Sequence, residues 1–343
     1  MTRPAAAGSR LVPCTSIRYG LAAGPDPSPG PLPYVQKGKA VASIAVGTAA
    51  WRPLQPVCGL RATDRNRIDR ERNVTNLSLR MPTAAASLLL ESDAAYFEAG
   101  AVVHALEGAV LARIPGLERL PAAAVVQRVN PAAIAGSPDC WLDDVEELLR
   151  VHRIRHARIY LRHAPAEIES ALRRRGYEEN RELGLVRLTG LEPVAGEEFP
   201  AVTLEEVCDV VGWREKLAIH AATGTHPDGR RADAAEWCGM ERHRVHHGYM
   251  RPYLIRAGRA VCGTVCVADR GQLLRFKNLL IQPDWRRRGY AMAAVAEILR
   301  LAAGRHAMVG CFALAGGMAL PIYHRAGFVD VTGQTEWIRP LCA

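Results

Sequence analysis

Residues 272–303 read QLLRFKNLLIQPDWRRRGYAMAAVAEILRLAA, and this stretch decides how the chain folds. Leu273 to Ile281 is a short apolar run with the length of a buried strand. Pro283 ends it, Asp284-Trp285 read as a turn, and Arg286-Arg287-Arg288-Gly289-Tyr290-Ala291 follow. Met292 to Ala303 is rich in Ala, Leu, Ile and Met, all good helix formers. The order is strand, basic glycine-containing loop, helix. A helix start has free backbone N–H groups and a partial positive charge, so it attracts anions. Gly289 allows a close backbone approach, and three arginines add charge-assisted donors suited to phosphate.

Outward from this unit the chain repeats itself. ARIYLRHAPAEIESALRRRGYEENRELGLVRL (157–188) closes the first half, and AMVGCFALAGGMALPIYHRAGFVDVTGQTEWIRP (307–340) closes the second. Each reads strand, helix, Gly-aromatic, strand. The preceding helices match as well, Trp141–Arg150 with Ala291–Ala303. Aligned on the glycine, Tyr323 falls on Leu172, which cannot donate a proton. Where the second half has Arg286-Arg287-Arg288-Gly289, the first has Ser137-Pro138-Asp139-Cys140, then Asp143, Asp144, Glu146 and Glu147. Carboxylates there stabilise a helix start but repel a pyrophosphate.

The remaining elements follow from periodicity. Ala84 to Leu106 is helical, Ala109–Ile114 and Ala123–Val129 are strands, and an amphipathic helix over 141–150 has Asp139 as its cap. Leu191 to Pro200, with two prolines, is the domain boundary. Leu204 to Ala222 and Ala232 to His247 are helical, Tyr253–Ile255 and Ala260–Val267 are strands, and residues 335–340 finish the sheet.

Composition bounds the rest. The 343 residues suggest two domains or slightly more, and no apolar stretch is long enough to span a membrane. The net charge is +9, but residues 1–80 alone hold ten Arg and two Lys against four acidic residues. The globular part is nearly neutral, so the basic balance does not argue for a nucleic-acid-binding domain. The first 80 residues, rich in Pro, Gly, Ala and Arg, read as a disordered basic tail; a transit peptide, or translation starting at Met81, are the alternatives. Nine dispersed cysteines with no Cys-x-x-Cys pair point to a reducing cytoplasm. Cys262 and Cys266, four apart in a strand, read as small core residues on one face.

The spacing Arg286-x-x-Gly289-x-Ala291 resembles the pyrophosphate motif of the GNAT N-acetyltransferase superfamily, Arg/Gln-x-x-Gly-x-Gly/Ala. Ala319, Tyr323, Gly327 and Phe328 are similar to that family's last conserved block, with Gly316 standing where Asn is usual. The resemblance implies an α+β fold, a mixed and mostly antiparallel sheet flanked by helices. It implies two GNAT-like domains in tandem, a degenerate one over 81–190 and a catalytic one over 201–343. It further implies an acetyl-CoA-dependent N-acetyltransferase acting by direct transfer on a small-molecule or peptide amine, with no metal. In that pattern the backbone at Leu280 and Ile281 pairs with pantetheine. Arg286, Arg287, Arg288, Gly289, Tyr290 and Ala291 hold the pyrophosphate, and Tyr323 protonates the departing thiolate.

The base is not given by the motif. Glu336 on the last strand, and Glu236 or Glu241 on the second helix, are candidates. So is a histidine among His220, His226, His243, His246 and His247, since neutral imidazole is a suitable base. His243-x-x-His246 shares one helical face, but two ligands do not make a zinc site. The missing carboxylate on the strand before the loop, and Gly316, favour an alternative: a non-catalytic acyl-CoA-binding or interaction protein. A cytoplasmic monomer or homodimer, without membrane or nucleic-acid partner, is the accompanying expectation.

Overall fold

A computed structural model describes residues 83–191, 198–223 and 233–341. Residues 1–82, the centre of the 191–200 boundary loop, His226 with its loop, and Cys342 lie outside the described residues. The described residues fall within one unit of the chain, 62–343.

The first half runs α1 (83–98), β1 Val102–Leu106, β2 Ala109–Arg113, β3 Ala124–Gln127, α2 Pro138–Val151, β4 His156–Leu161, α3 Ala166–Arg174 and β5 Glu178–Leu188. The second half runs β6 Thr203–Glu206, α4 Val210–Thr223, α5 Ala234–His246, β7 Arg251–Ala257, β8 Ala260–Arg270 and β9 Leu273–Ile281. It ends with α6 Tyr290–Ala302, β10 Met308–Leu314, α7 Leu320–Arg325 and β11 Val329–Pro340.

All eleven strands join one sheet in the order β1-β2-β3-β4-β11-β5-β10-β9-β8-β7-β6. Only β3–β4 and β9–β10 pair in parallel; the other neighbours are antiparallel. The mixed, mostly antiparallel sheet flanked by helices is therefore as the sequence implies. About the β11–β5 pair, β4, β3, β2 and β1 on one side match β10, β9, β8 and β7 on the other, with β6 an additional edge strand of the second half. Each half sends its last strand into the other: β5 lies against β10, and β11 lies against β4. Neither 81–190 nor 201–343 contains both strands that flank its own central ladder.

Helices α2, α3, α6 and α7 cover one face. There Trp141, Leu149, Ile159, Leu172 and Trp337 form one cluster, and Phe276, Val295, Ile298, Val309, Tyr323 and Phe328 form another. Each such large side chain contributes about 1.5–3 kcal/mol on burial. Helices α1, α4 and α5 cover the opposite face, where Tyr96, Phe97, Trp237 and Met240 pack on Tyr160, Cys266 and Ala268. Ile219 of α4 meets Leu254 and Leu280.

Four expectations are corrected. The helix read over 84–106 stops at 98, because Gly100 takes a left-handed φ of +67° and Val102-Val103 then extend as β1. The helix read from Leu204 begins at Val210; Thr203–Glu206 forms an edge strand on β7 instead. Asp139 does not cap α2. Ser137 does, its hydroxyl accepting from the Cys140 N–H, while Asp139 pairs with Arg174 and Arg175. Cys262 and Cys266 lie on opposite faces, because β8 bulges at Cys262 between its Val261–Arg256 and Gly263–Ile255 pairings.

Candidate functional site

The central parallel pair opens into a fork. β9 and β10 pair only at Leu273–Met308, Leu274–Val309 and Arg275–Gly310. Beyond this, β10 stays with β5 as far as Leu314–Glu182, while β9 stays with β8. The divergence has a local cause. Between the pairings Cys266–Lys277 and Thr264–Leu280, β9 carries one residue more than β8, and Asn278 takes a left-handed φ of +54°. Such a bulge bends a strand away from its neighbour. Past Arg275, the β9 edge that faced β10 has no ladder partner among the described residues. An extended ligand could pair with such an edge.

At the far end of β9 the chain turns through Pro283–Trp285 and enters α6. Gly289 is the N-cap residue, at φ +83°, and no side chain caps this helix. The first-turn N–H groups therefore point outward without an internal acceptor. Arg286, Arg287 and Arg288 are exposed around them, and Tyr290 and Ala291 are half-buried. Arg286 also braces the loop, its Nε donating to the Ile281 carbonyl at 2.9 Å. That carbonyl, one of the backbone groups expected to face pantetheine, is thus already used. Leu280 is buried against α4. A Cβ at position 289 would come within 3.0 Å of Pro200 Cδ. The equivalent start of α2 is capped by Ser137 and screened by Asp139, so the two halves offer different surfaces to an anion.

Tyr323 lies under the fork on the α6–α7 face. Its ring packs edge-on to Phe276 at 5.4 Å and against Phe328 at 6.0 Å. Phe276 follows the last paired residue of β9, and Cys311, which also acts on Tyr323, follows the last paired residue of β10. Burial, then the Cys311 thiol, push the phenol well above its ordinary range, so it stays protonated at neutral pH. The hydroxyl has no hydrogen-bond partner among the described residues.

Of the other sequence-derived candidates, Glu241 reaches the β9 bulge through Asn278, whereas Glu336 and Glu236 do not. Glu336 follows β11 into the first half and sits between β4 and β5, fully buried. It is ion-paired with Arg158 and accepts from Asn180 Nδ2 at 2.7 Å. Strand exchange is the reason it is displaced. Glu236 lies in the first turn of α5. His243 bonds the Gly100 carbonyl at 2.8 Å, and His247 stacks on His243 and His246. Helix α5 packs into the core through Trp237, Met240, Glu241 and Arg244.

Glu241 is fully buried, 3.0 Å from Lys216 Nζ and 3.4 Å from His220 Nε2, and accepts from Asn278 Nδ2 at 2.7 Å. Burial opposes its ionisation, but Lys216 and His220 hold the carboxyl far below its usual range. His220, Cys238 and Glu241 offer ligand atoms within 4.8 Å of one another. The lysine ammonium already neutralises that carboxylate, so the group is poorly suited to a further cation.

Sequence reasoning missed a second buried network on the α1 side of the fork. Asp93 of α1 is ion-paired with Arg275, and with Lys277 at 3.0 Å. Gln334 of β11 donates to Asp93 and to Glu182 of β5, both at 2.8 Å. Its one sequence signal was Arg275 and Lys277 at alternate positions of a mostly apolar strand.

No family model and no curated relative matches the sequence. Many solved structures match, and two of them show the likeness in fold. A conserved protein of unknown function from Staphylococcus epidermidis superposes with a TM-score of 0.55 at 12% identity, over 73% of this chain and 97% of its own. A GCN5-related N-acetyltransferase from Kribbella flavida gives 0.51 at 16% identity, over 75% and 96%. With the forked parallel pair, the strand–loop–helix unit and this likeness together, the chain carries the fold of the GNAT N-acetyltransferase superfamily.

Proposed function

We propose that the chain is an acetyl-CoA-dependent N-acetyltransferase, with its catalytic half in 201–343 and a degenerate GNAT-like half in 81–190. The acceptor class is a small-molecule or peptide amine, and transfer is direct. The observation that carries this is the joining of two features by one strand: the β9–β10 fork and the uncapped, arginine-ringed start of α6. A nucleotide thioester has an anionic end and an extended amide-bearing arm. The helix start suits the first, through orphan N–H groups and dipole, and the open β9 edge suits the second.

Arg286, Arg287, Arg288, Gly289, Tyr290 and Ala291 would hold the pyrophosphate, and the backbone between Asn278 and Ile281, Leu280 included, would line the arm. Tyr323, protonated under the fork, would donate to the departing thiolate. Glu336, locked to Arg158, has a structural role in this reading. Among the described residues no helix is long and apolar enough to cross a membrane; a cytoplasmic enzyme belongs to the proposal. Thiol release from acetyl-CoA with a panel of amines tests it. Acceptor-dependent release supports transfer, whereas tight binding without release with any amine supports a non-catalytic acyl-CoA-binding protein.

A further inference from the structure

The fork has an upper lip on the α1 side, and that lip is built by the other half of the chain. Glu182 belongs to β5, the last strand of the first half, yet it pairs with Leu314 at the open end of β10. Its Oε2 accepts from Gln334 Nε2, which also donates to Asp93; Asp93 in turn takes Lys277 Nζ. This chain of contacts runs from β5 across β10 to β9, over the place where the strands part. Lys277 lies two residues beyond the last β9–β10 pairing. Asp93, Arg275 and Gln334 are buried, but Lys277 is 22% exposed and Glu182 is also partly open. Asp93 is matched by two cations. Glu182 is the carboxylate of the group without an ion-pair partner among the described residues.

Resting on the transferase reading above, we infer that Glu182 is the general base that deprotonates the acceptor amine, so that the catalytic half is completed by a residue of the first half. Acid and base then lie on opposite sides of the fork, Tyr323 beneath it and Glu182 above it. The acceptor ammonium gives one proton to Glu182. Its nitrogen lone pair attacks the thioester carbonyl carbon, the C–N bond forms, and the C–S bond breaks with its electron pair left on sulfur. The second nitrogen proton is lost, and the sulfur gains one proton through Tyr323 or directly. The proton on Glu182 passes to water, so one proton is released overall.

The charges around Glu182 suit this task. Asp93 of α1, Arg275 and Lys277 of β9, Arg158 and Tyr160 of β4, and Gln334 and Glu336 of β11 all face it or its neighbours. Burial and the carboxylates of Asp93 and Glu336 raise it to about 7, against the bond from Gln334 and the charge of Lys277. A base of that strength serves best near neutrality.

The test measures kcat/KM against pH for the full chain, with an amine that turns over, for wild type, Glu182→Gln and Glu182→Asp. Acetyl-CoA binding is followed by calorimetry. Wild type should show an acid limb near pH 7. Glu182→Gln should lose the limb and about 10²-fold in rate, with acetyl-CoA affinity within about threefold. Glu182→Asp should keep a limb, displaced, and recover part of the rate. A Glu182→Gln enzyme with wild-type rate and limb overturns the assignment. If glutamine at 182 prevents folding, the aspartate variant decides, because an unmoved limb belongs to another group and also overturns it. Wild type that binds no acetyl-CoA, or binds it and transfers to no amine, removes the transferase reading and this base with it. That result is distinguishable from a normal Glu182→Gln enzyme.

Discussion

Replacing Glu336 with glutamine separates two roles that the sequence alone leaves open. Glu336 is fully buried and ion-paired with Arg158, which is itself 5% exposed and also donates to the Tyr160 hydroxyl at 2.8 Å. Glutamine preserves volume and can still accept from Asn180, but it removes the carboxylate that is ion-paired with Arg158 in the core. Breaking a buried pair from one side costs about 3–5 kcal/mol, and the retained hydrogen bond argues for the lower end. Each kcal/mol shifts Tm by roughly 2–4 °C in a domain of this size class, so a fall of roughly 6–12 °C is expected. Circular dichroism melts give the stability, and thiol release per folded molecule gives the activity. Turnover per folded chain should stay within about threefold above neutral pH, with the acid limb moved to lower pH because the Glu336 carboxylate no longer raises Glu182. Adding Arg158→Met should recover part of the loss, because a neutral apolar side chain no longer needs a counter-ion. An unchanged melt with turnover reduced about 10²-fold would refute this reasoning and return Glu336 to the chemistry.

Tyr323→Phe retains the ring packing on Phe276 and Phe328. It should lower kcat by roughly 10²-fold with acetyl-CoA affinity within about threefold; wild-type kcat would remove the phenol from the mechanism. Asp93 gives a pH prediction. Burial opposes its ionisation, but Arg275 and Lys277 overcome that and hold the folded-state carboxyl well below its ordinary range. Its contribution to stability is present above the unfolded pKa of about 3.9 and is lost as pH falls through the folded value. Wild-type Tm should thus fall more steeply than that of Asp93→Asn below about pH 4, and parallel melting curves would contradict the ion-pair network. The exchanged strands predict that 201–343 expressed alone, without β5 beside β10, fails to give a soluble folded chain, and that co-expression with 81–190 restores one. A stable, monomeric 201–343 would speak against the exchange.

The fold was legible where local chemistry is one-sided. The apolar run to Ile281, the proline that stops it and the glycine before an Ala-rich helix leave few alternatives, and the structure has strand, turn and helix there. The repeat was legible because both halves end in Gly-aromatic-strand. The exchange was not, since β5 and β11 carry similar strand patterns and nothing local says which neighbour each joins. That single ambiguity hid Glu182 and left unread that Glu336 lies between β4 and β5. Helix α1 was overrun because Ala99 to Leu106 keeps an apolar spacing that only Gly100 and the paired valines contradict. The Asp93 network was invisible because its members come from α1, β5, β9 and β11, and only the folded sheet brings them together.

Calorimetric titration of the full chain with acetyl-CoA tests the central claim most directly. The account predicts one site per chain, because the α6 start is uncapped and flanked by arginines whereas the α2 start is closed by Ser137 and Asp139. It also predicts that Gly289→Glu abolishes the binding. That change sets a carboxylate against the anion and forces a side chain onto a φ of +83° beside Pro200. Backbone strain of about 1–2 kcal/mol should lower Tm by a few degrees without unfolding the chain. No heat of binding, two equivalent sites, or a Gly289→Glu chain with wild-type affinity would contradict the account.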